Sequence, residues 1–377
     1  MKTSIALSSA AGLLLGLTAP HAGAQSSVTL YGILSEGVAY VNNEGGSSAV
    51  KMLSGTNQNN RVGFRIAEDL GGGSRAIGVL ENGFDVTNGK LGQGGRMFGR
   101  QAFVGLSDDR YGTLTMGRQY DMFTDYLTPF VTAVAANGLA NHPGDLDNSM
   151  GSWRYSNSVK YVTPTFAGFN MTGMYGFSNQ SEFAVNRMYS VGAGYRNGPL
   201  LLGAAYTEMD LPGTINTSGT ASDDYAGAPF LTYHTSPLST AVGVDKHRNV
   251  GIGGRYEFGS RWRWNVLLTN SHLFYRDGTS LSMTNYDTSL TYNVTPTLVL
   301  GGGYIYTRAS YGGVASNPHW HTAQLSIDYF LSKRTDIYLF NVFQRVSGAF
   351  ATADIYLNSP STGRTQNLVV AGIRHKF

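Results

Sequence analysis

Apolar and polar residues alternate along this chain in many short segments, the period of two expected of strands whose faces meet different surroundings. In Arg61-Val62-Gly63-Phe64-Arg65-Ile66 the apolar Val62, Phe64 and Ile66 share one face, with Arg61 and Arg65 on the other. Between Tyr189 and Tyr195, the residues Tyr189, Val191, Ala193 and Tyr195 alternate with Ser190, Gly192 and Gly194. Further on, Ala323, Leu325, Ile327 and Tyr329 alternate with Thr322, Gln324, Ser326 and Asp328. A soluble sandwich turns its apolar faces inward. A closed barrel in a bilayer turns them outward and lines a wet lumen with the polar ones. The breaks between segments come in two lengths. Short ones include Leu70 to Gly73, Asp108 to Gly112, Pro164 to Gly168, Asn197 to Pro199, Thr295 to Thr297 and Ser332 to Thr335. Long polar stretches lie around 43–59, 121–152, 208–245 and 348–364. Tight turns alternating with long loops predict an all-β transmembrane antiparallel barrel of about sixteen strands. No Pro/Ser linker and no fixed repeat divides it, so residues 25–377 read as one domain.

Composition sharpens this picture. Glycine supplies 49 of 377 residues, Tyr 23 and Phe 18, while charged residues make up only 14%; globular chains average about 7% Gly and 25% charged. Much glycine and many aromatics suit a wall that needs small residues inside and aromatic girdles at its rims. Cysteine is absent, which removes thiol nucleophiles and thiolate metal sites and leaves closed hydrogen bonding to hold the structure. At the start, Lys2 precedes an apolar stretch from Ile5 to Leu17, and Ala22-Gly23-Ala24 supplies small residues at −3 and −1. That is the pattern of a secretory signal peptide over 1–24, with the mature chain beginning at Gln25. No later apolar run reaches the roughly 18 residues a membrane helix needs. Without Lys2, 26 of the 27 basic residues remain against 24 acidic, a balance that gives no support for a nucleic-acid partner.

Six runs stand out: Ser27-Val28-Thr29-Leu30-Tyr31-Gly32, Asn60 to Arg65 followed by Glu68-Asp69-Leu70-Gly71-Gly72-Gly73, and Arg100 to Leu106, then Gly117-Arg118-Gln119-Tyr120, Arg154 to Tyr161 and the ending Gly372-Ile373-Arg374-His375-Lys376-Phe377. As a set they resemble the Gram-negative trimeric general diffusion porins of β-proteobacterial type. The resemblance spans the mature chain and implies passive diffusion through a lumen narrowed by an inward-folded third loop. It further implies arginines on one wall and carboxylates on the loop. Carried over residue by residue, Arg61 and Arg100 match wall arginines and Glu81 an inward glutamate, with Arg65 and Arg118 added by alternation or proximity. Asp121, Asp125, Asp145 and Asp147 are the carboxylates the loop offers. The family's Pro-Glu-Phe-Gly-Gly stretch is missing from the loop, where Ala133 to Ala136 and Asn137-Gly138 stand instead. With four arginines against partly exposed carboxylates, a modest anion preference is expected.

The resemblance also implies a homotrimer set in outer-membrane lipid, including lipopolysaccharide, passing ions and small hydrophilic solutes without a cofactor or metal. It makes Phe377, on the face shared by Val369, Ala371 and Ile373, the signal read by the barrel-assembly machinery. Two rival readings come from other classes. A barrel enzyme needs a Ser, a His and an orienting group within reach, and no such constellation is recognisable around the histidines. An adhesin would use its loops, while a substrate-specific channel would favour an aromatic ladder along the lumen. His319 and His321 lie two apart on one face, but lack a third ligand at metal-binding spacing. Arg75 and Arg96 read equally well as solvated surface charges.

Overall fold

The computed structural model describes residues 26–213, 221–225 and 233–377. The expected signal peptide and the start at Gln25 lie outside the described residues. The first strands are β1 (Ser27–Glu44), β2 (Ser47–Ser54), β3 (Arg61–Gly71), β4 (Ser74–Gly83), β5 (Gln101–Asp108) and β6 (Gly112–Gln119). A loop carrying two short helices, α1 (Met122–Tyr126) and α2 (Thr132–Ala135), leads to β7 (Tyr155–Val162), β8 (Phe169–Gly176), β9 (Met188–Asn197) and β10 (Leu200–Asp210). Then follow β11 (Val244–Phe258), β12 (Trp262–Tyr275), β13 (Ser280–Asn293) and β14 (Leu298–Gly312). The chain finishes with β15 (His319–Phe330), β16 (Thr335–Ser347) and β17 (Thr365–Lys376).

Consecutive strands pair antiparallel, except that β2 and β3 both pair with β1, and β17 closes the sheet on β1 from Ile33↔Lys376 to Val41↔Leu368. The Gly32 and Phe377 amides and carbonyls exchange two further bonds at this seam. Seventeen segments make sixteen staves because β2 and β3 occupy one edge of β1 end to end: β2 pairs with Glu36 to Glu44 and β3 with Ser27 to Ile33. The stretch 43–59, expected as a loop, is mostly strand. Gly45 and Gly46, at φ of 65° and 108°, make a tight turn there, and only Gly55–Asn60 bulges out of the ladder. Closure leaves the sheet no free edge, which is what lets strands cross lipid.

The alternation has the physical meaning the sequence implies. On β12, Trp262, Trp264, Val266 and Leu268 are exposed outward, while Asn265, Leu267, Thr269 and Ser271 are buried inward. On β15, Leu325, Ile327 and Tyr329 face out, and Gln324, Ser326 and Asp328 face in. The outer surface itself divides. Trp, Tyr and Phe stud it from β8 to β16, whereas β1 to β6 present mainly Val, Leu and Met, such as Val28, Val50, Val104 and Leu106.

The loop from 120 to 154 runs inside the barrel along β8 to β14. Glycine explains how it fits. A Cβ on Gly192 would strike the Tyr126 ring at 2.6 Å, one on Gly203 the Tyr126 carbonyl at 2.6 Å, and one on Gly251 Leu127 at 2.6 Å. Inward glycines thus form a seat into which Met122, Phe123, Leu127 and Phe130 sink completely, each apolar side chain contributing roughly 1.5–3 kcal/mol on burial. Polar wall residues pin the rest: Gln324 accepts from the Ala140 amide at 2.8 Å and donates to the Ala136 carbonyl at 3.0 Å. A second loop, 348–364, also turns in, with Ala353 and Ile355 buried and the Trp320 indole donating to the Thr352 carbonyl at 3.0 Å.

Candidate channel constriction

Between the inward loop and the opposite wall the lumen narrows to a space of about 630 Å³. Strand ends and adjoining residues bring six basic side chains to it: Arg61, Arg100, Arg255, Arg263, Arg374 and Lys376. The loop contributes Thr124, Thr128, Val134, Ala135, Asn137 and Leu139; Tyr120 and, from the second inward loop, Tyr356 complete the wall. Among the described residues, no carboxylate lines this space.

The sequence-derived candidates separate into groups. Arg61 and Arg100 line the passage. Arg61 donates to the Asn59 carbonyl at 3.1 Å and has no carboxylate within ion-pair distance among the described residues. Arg100 pairs with Glu81 at 2.7 Å, and Tyr31 donates to the same glutamate at 2.8 Å. Glu81 therefore sits beside the arginine on the same wall. Arg65 lies outside the narrow space, its guanidinium 4.4 Å over the Tyr31 ring. Arg118 pairs in register with Ala102, on the outer face that carries Val104 and Leu106, and it binds Asp223 and Asp224 together with Arg96.

The loop aspartates were expected to face the arginines, and none of the four lines the passage. Asp121 caps α1, accepting from the Thr124 amide at 3.1 Å and from the Thr207 hydroxyl at 3.2 Å. Asp145 accepts the Met150 amide at 3.0 Å and the Ser152 amide at 3.3 Å. Asp147 accepts from Thr269 at 2.6 Å and contacts His142 at 2.6 Å. All three are fully buried and hold the loop's shape. Asp125 is partly exposed and bridges to Lys160 of β7 at 2.6 Å. Four basic residues were missed: Arg255, Arg263, Arg374 and Lys376. Each alternates with outward apolar or aromatic residues, as Arg263 does between Trp262 and Trp264, the pattern that also sets Arg61 on the face opposite Val62 and Phe64.

A buried ion cluster locks the loop to the wall. His142 lies between Asp147 and, at 3.4 Å, Asp287 of β13; Asp287 also accepts the Thr132 amide at the start of α2 at 2.9 Å. Burial opposes charge on His142, but the two carboxylates win and push it up to about 10. Burial raises Asp121 to about 7, and burial with the neighbouring Asp147 raises Asp145 to about 6. Despite burial, His142 holds Asp147 down to about 2. The signs follow from linkage. Asp121 and Asp145 favour docking fully below the ordinary carboxylate range, and lose that contribution as pH rises through 6–7. His142 loses its own as pH rises through 10, whereas Asp147 loses its contribution only as pH falls towards 2. Docking is therefore tightest near pH 4 and weakens as pH rises from there through 6–7. Stepping from pH 5 to pH 9 should increase open-channel current noise, and His142→Ala should show that noise already at pH 5; noise independent of pH would show that these groups do not hold the loop.

Ser149 lies 3.4 Å from His142, giving a Ser, a His and an Asp in one place. Both neighbours approach the same nitrogen, Nδ1, so the ring cannot relay a proton from serine to aspartate. The cluster is structural.

A closed barrel with a polar lumen, an aromatic outer surface and a loop-narrowed, arginine-lined passage is a membrane channel. The family model for Gram-negative porin matches residues 8–349, and the chain belongs to that family. An outer membrane porin protein of Bordetella pertussis is 32% identical over 275 residues, 66% of this chain and 65% of that protein, just under two thirds of its length. Outer membrane porin protein 32 of Delftia acidovorans is 28% identical over 94% of this chain and 95% of its own. Among solved structures, the anion-selective porin from Comamonas acidovorans superposes with a TM-score of 0.76 at 25% identity, covering 94% of this chain and all of its own. The chain is an outer-membrane protein.

Proposed function

We propose that this protein is a general diffusion pore that passes ions and small hydrophilic solutes and prefers anions. The carrying observation is that six basic side chains and, among the described residues, no carboxylate line the passage. Arg61, Arg255 and Lys376 are the cations there without an acidic partner among the described residues, so their field reaches a passing ion uncompensated. Arg100 and Arg374 are offset by Glu81 and Asp336. The anion-selective porin of Comamonas acidovorans, which this chain resembles, agrees in sign. Reversal potential across a potassium chloride gradient is the test: an anion-directed potential is expected, and a cation-directed one would refute the reading.

The protein works as a homotrimer joined through β1 to β6, a reading supported by the outer face of those strands. Exposed Val28, Val50, Val104 and Leu106 form an apolar surface in which aromatics are few, Tyr40 and Phe64 among them, which suits protein contact better than a lipid boundary. Signal peptide 1–24 directs export. Phe377 serves the assembly machinery; its ring points outward from the closing strand and fills the notch left by Gly32.

A further inference from the structure

Either side of the short turn between β15 and β16, two aspartates meet one arginine. Asp328 stands opposite Tyr338 and Asp336 opposite Phe330 in the register of these strands. The two carboxylates are therefore diagonal neighbours on one face, a spacing that side chains can bridge, and Asp328, once it carries a proton, is placed to donate to Asp336. Arg374 of β17 donates from Nε to Asp336 at 3.0 Å and lies 3.7 Å from Asp328. Its other arm donates to the Asn57 side chain at 3.0 Å. Both aspartates are only 1% exposed. Asp328 Oδ1 and Oδ2 and Asp336 Oδ2 are shut off from water and accept no hydrogen bond among the described residues.

Two ionised carboxylates against a single guanidinium leave one negative charge over, and the surroundings give it no second ion pair. On β16 the Tyr338 hydroxyl is engaged by Ser35 at 3.0 Å and by Thr56. On β14, Val299 stands opposite Asp328. Lys376, two residues beyond Arg374, faces the pair without coming within ion-pair distance, and Arg61 of β3 faces Lys376 in turn. A buried charge left unpaired is costly, and two carboxylates in one site relieve that cost when a single proton bridges them. Arg374, Lys376 and Arg61 all line the passage, so a charge held behind Arg374 acts on the ions going by.

We propose that Asp328 and Asp336 are a proton-sharing pair that sets the selectivity of the passage. A proton from lumen water bonds to an Asp328 oxygen and is donated to Asp336 Oδ2. With it, the two aspartates and Arg374 are neutral together, and Lys376 and Arg61 act on passing anions unopposed. Without it, one negative charge stands behind Arg374 and offsets part of their field. Anion preference therefore rises on acidification. The proposal rests on the reading of this passage as the charge-selective one.

The experiment is reversal potential across a potassium chloride gradient, stepped from pH 9 to pH 4, for wild type and Asp328→Asn. The wild-type ratio of anion to cation permeability should rise about two- to threefold as pH falls, the scale of one charge acting through water and salt. Asp328→Asn, whose amide replaces the shared proton, should hold the acid-side ratio throughout. Asp336→Asn also removes one charge and serves if Asp328→Asn lacks the heat-shifted gel mobility of a folded barrel. Current noise should keep its own pH dependence in both variants, which separates this pair from the cluster that docks the loop. A flat wild-type profile, or the same slope in wild type and variant, would overturn the proposal. So would calcium that at pH 9 reproduces the acid shift in wild type and not in Asp328→Asn, since the pair would then hold a divalent cation. A pore directed to cations at every pH, whose acid shift still vanishes in Asp328→Asn, would refute the anion-preferring reading and leave the role of the pair standing.

Discussion

Replacing Arg61, Arg255 and Lys376 together by alanine should remove most of the pore's anion preference, whereas Arg118→Ala should leave it unchanged. At about 4 Å in a water-like dielectric a unit charge contributes roughly 1 kcal/mol, or about a fivefold change in an ion's local concentration, upward for an anion and downward for a cation. The three cations share one space, so their effects fall short of additive, and a shift of about tenfold in the permeability ratio is the expected scale. Arg118 lies on the outer face of β6 and is neutralised by Asp223 and Asp224. Ionic strength supplies a second check. Screening shortens from roughly 10 Å at 0.1 M to 3 Å at 1 M, so wild-type selectivity should fall with salt while the triple variant stays near neutral. A triple variant as anion-selective as wild type, or an Arg118→Ala pore that loses selectivity, would place the filter elsewhere.

That contrast also marks where the sequence was readable. Strand number, closure and the sense of each face follow from period-two alternation, because in a membrane barrel one face must be apolar at nearly every turn. The same rule held enough information to reject Arg118: it shares parity with Leu114 and Met116, which the structure exposes outward. It held enough to select Arg255, Arg263, Arg374 and Lys376 as well. The stretch 43–59 misled because Asn43, Glu44, Gly45 and Gly46 look like the start of a long loop, and the short strand beyond alternates only through Ala49 to Met52.

The loop aspartates were illegible for a different reason. Polarity shows that a carboxylate needs partners without naming them, and these partners come from distant strands: Thr207 for Asp121 and Thr269 for Asp147. Local sequence around 121–152 contains no trace of Asp287 or Gln324, on which the loop's path depends. The glycines that seat the loop are visible as composition, yet only the assembled wall shows that Gly192, Gly203 and Gly251 lie along one track.

Deleting Ala133 to Leu139 should raise single-channel conductance while the barrel stays intact. This segment supplies Val134, Ala135, Asn137, Gly138 and Leu139 to the narrow space, so its loss enlarges the cross-section where resistance concentrates. The staves do not depend on it, since each finds its backbone partners in neighbouring strands and closure runs through β1 and β17. Gln324 and Asp287 would lose loop partners, but both would then face lumen water, which can satisfy them. A point change separates anchoring from blocking. Asp287→Ala leaves the Thr132 amide uncapped and removes one of the two carboxylates around buried His142, a loss of about 3–5 kcal/mol for a broken buried pair. Phe123, Leu127 and Phe130 would still hold the first half of the loop in its glycine seat. Asp287→Ala should therefore add current fluctuations at nearly unchanged mean conductance, and the deletion should raise the mean. If the deleted protein folds with the heat-shifted mobility of wild type and conducts no better, the limit lies instead at Tyr356 and the second inward loop, and the 133–139 segment only lines a passage already fixed by 348–364.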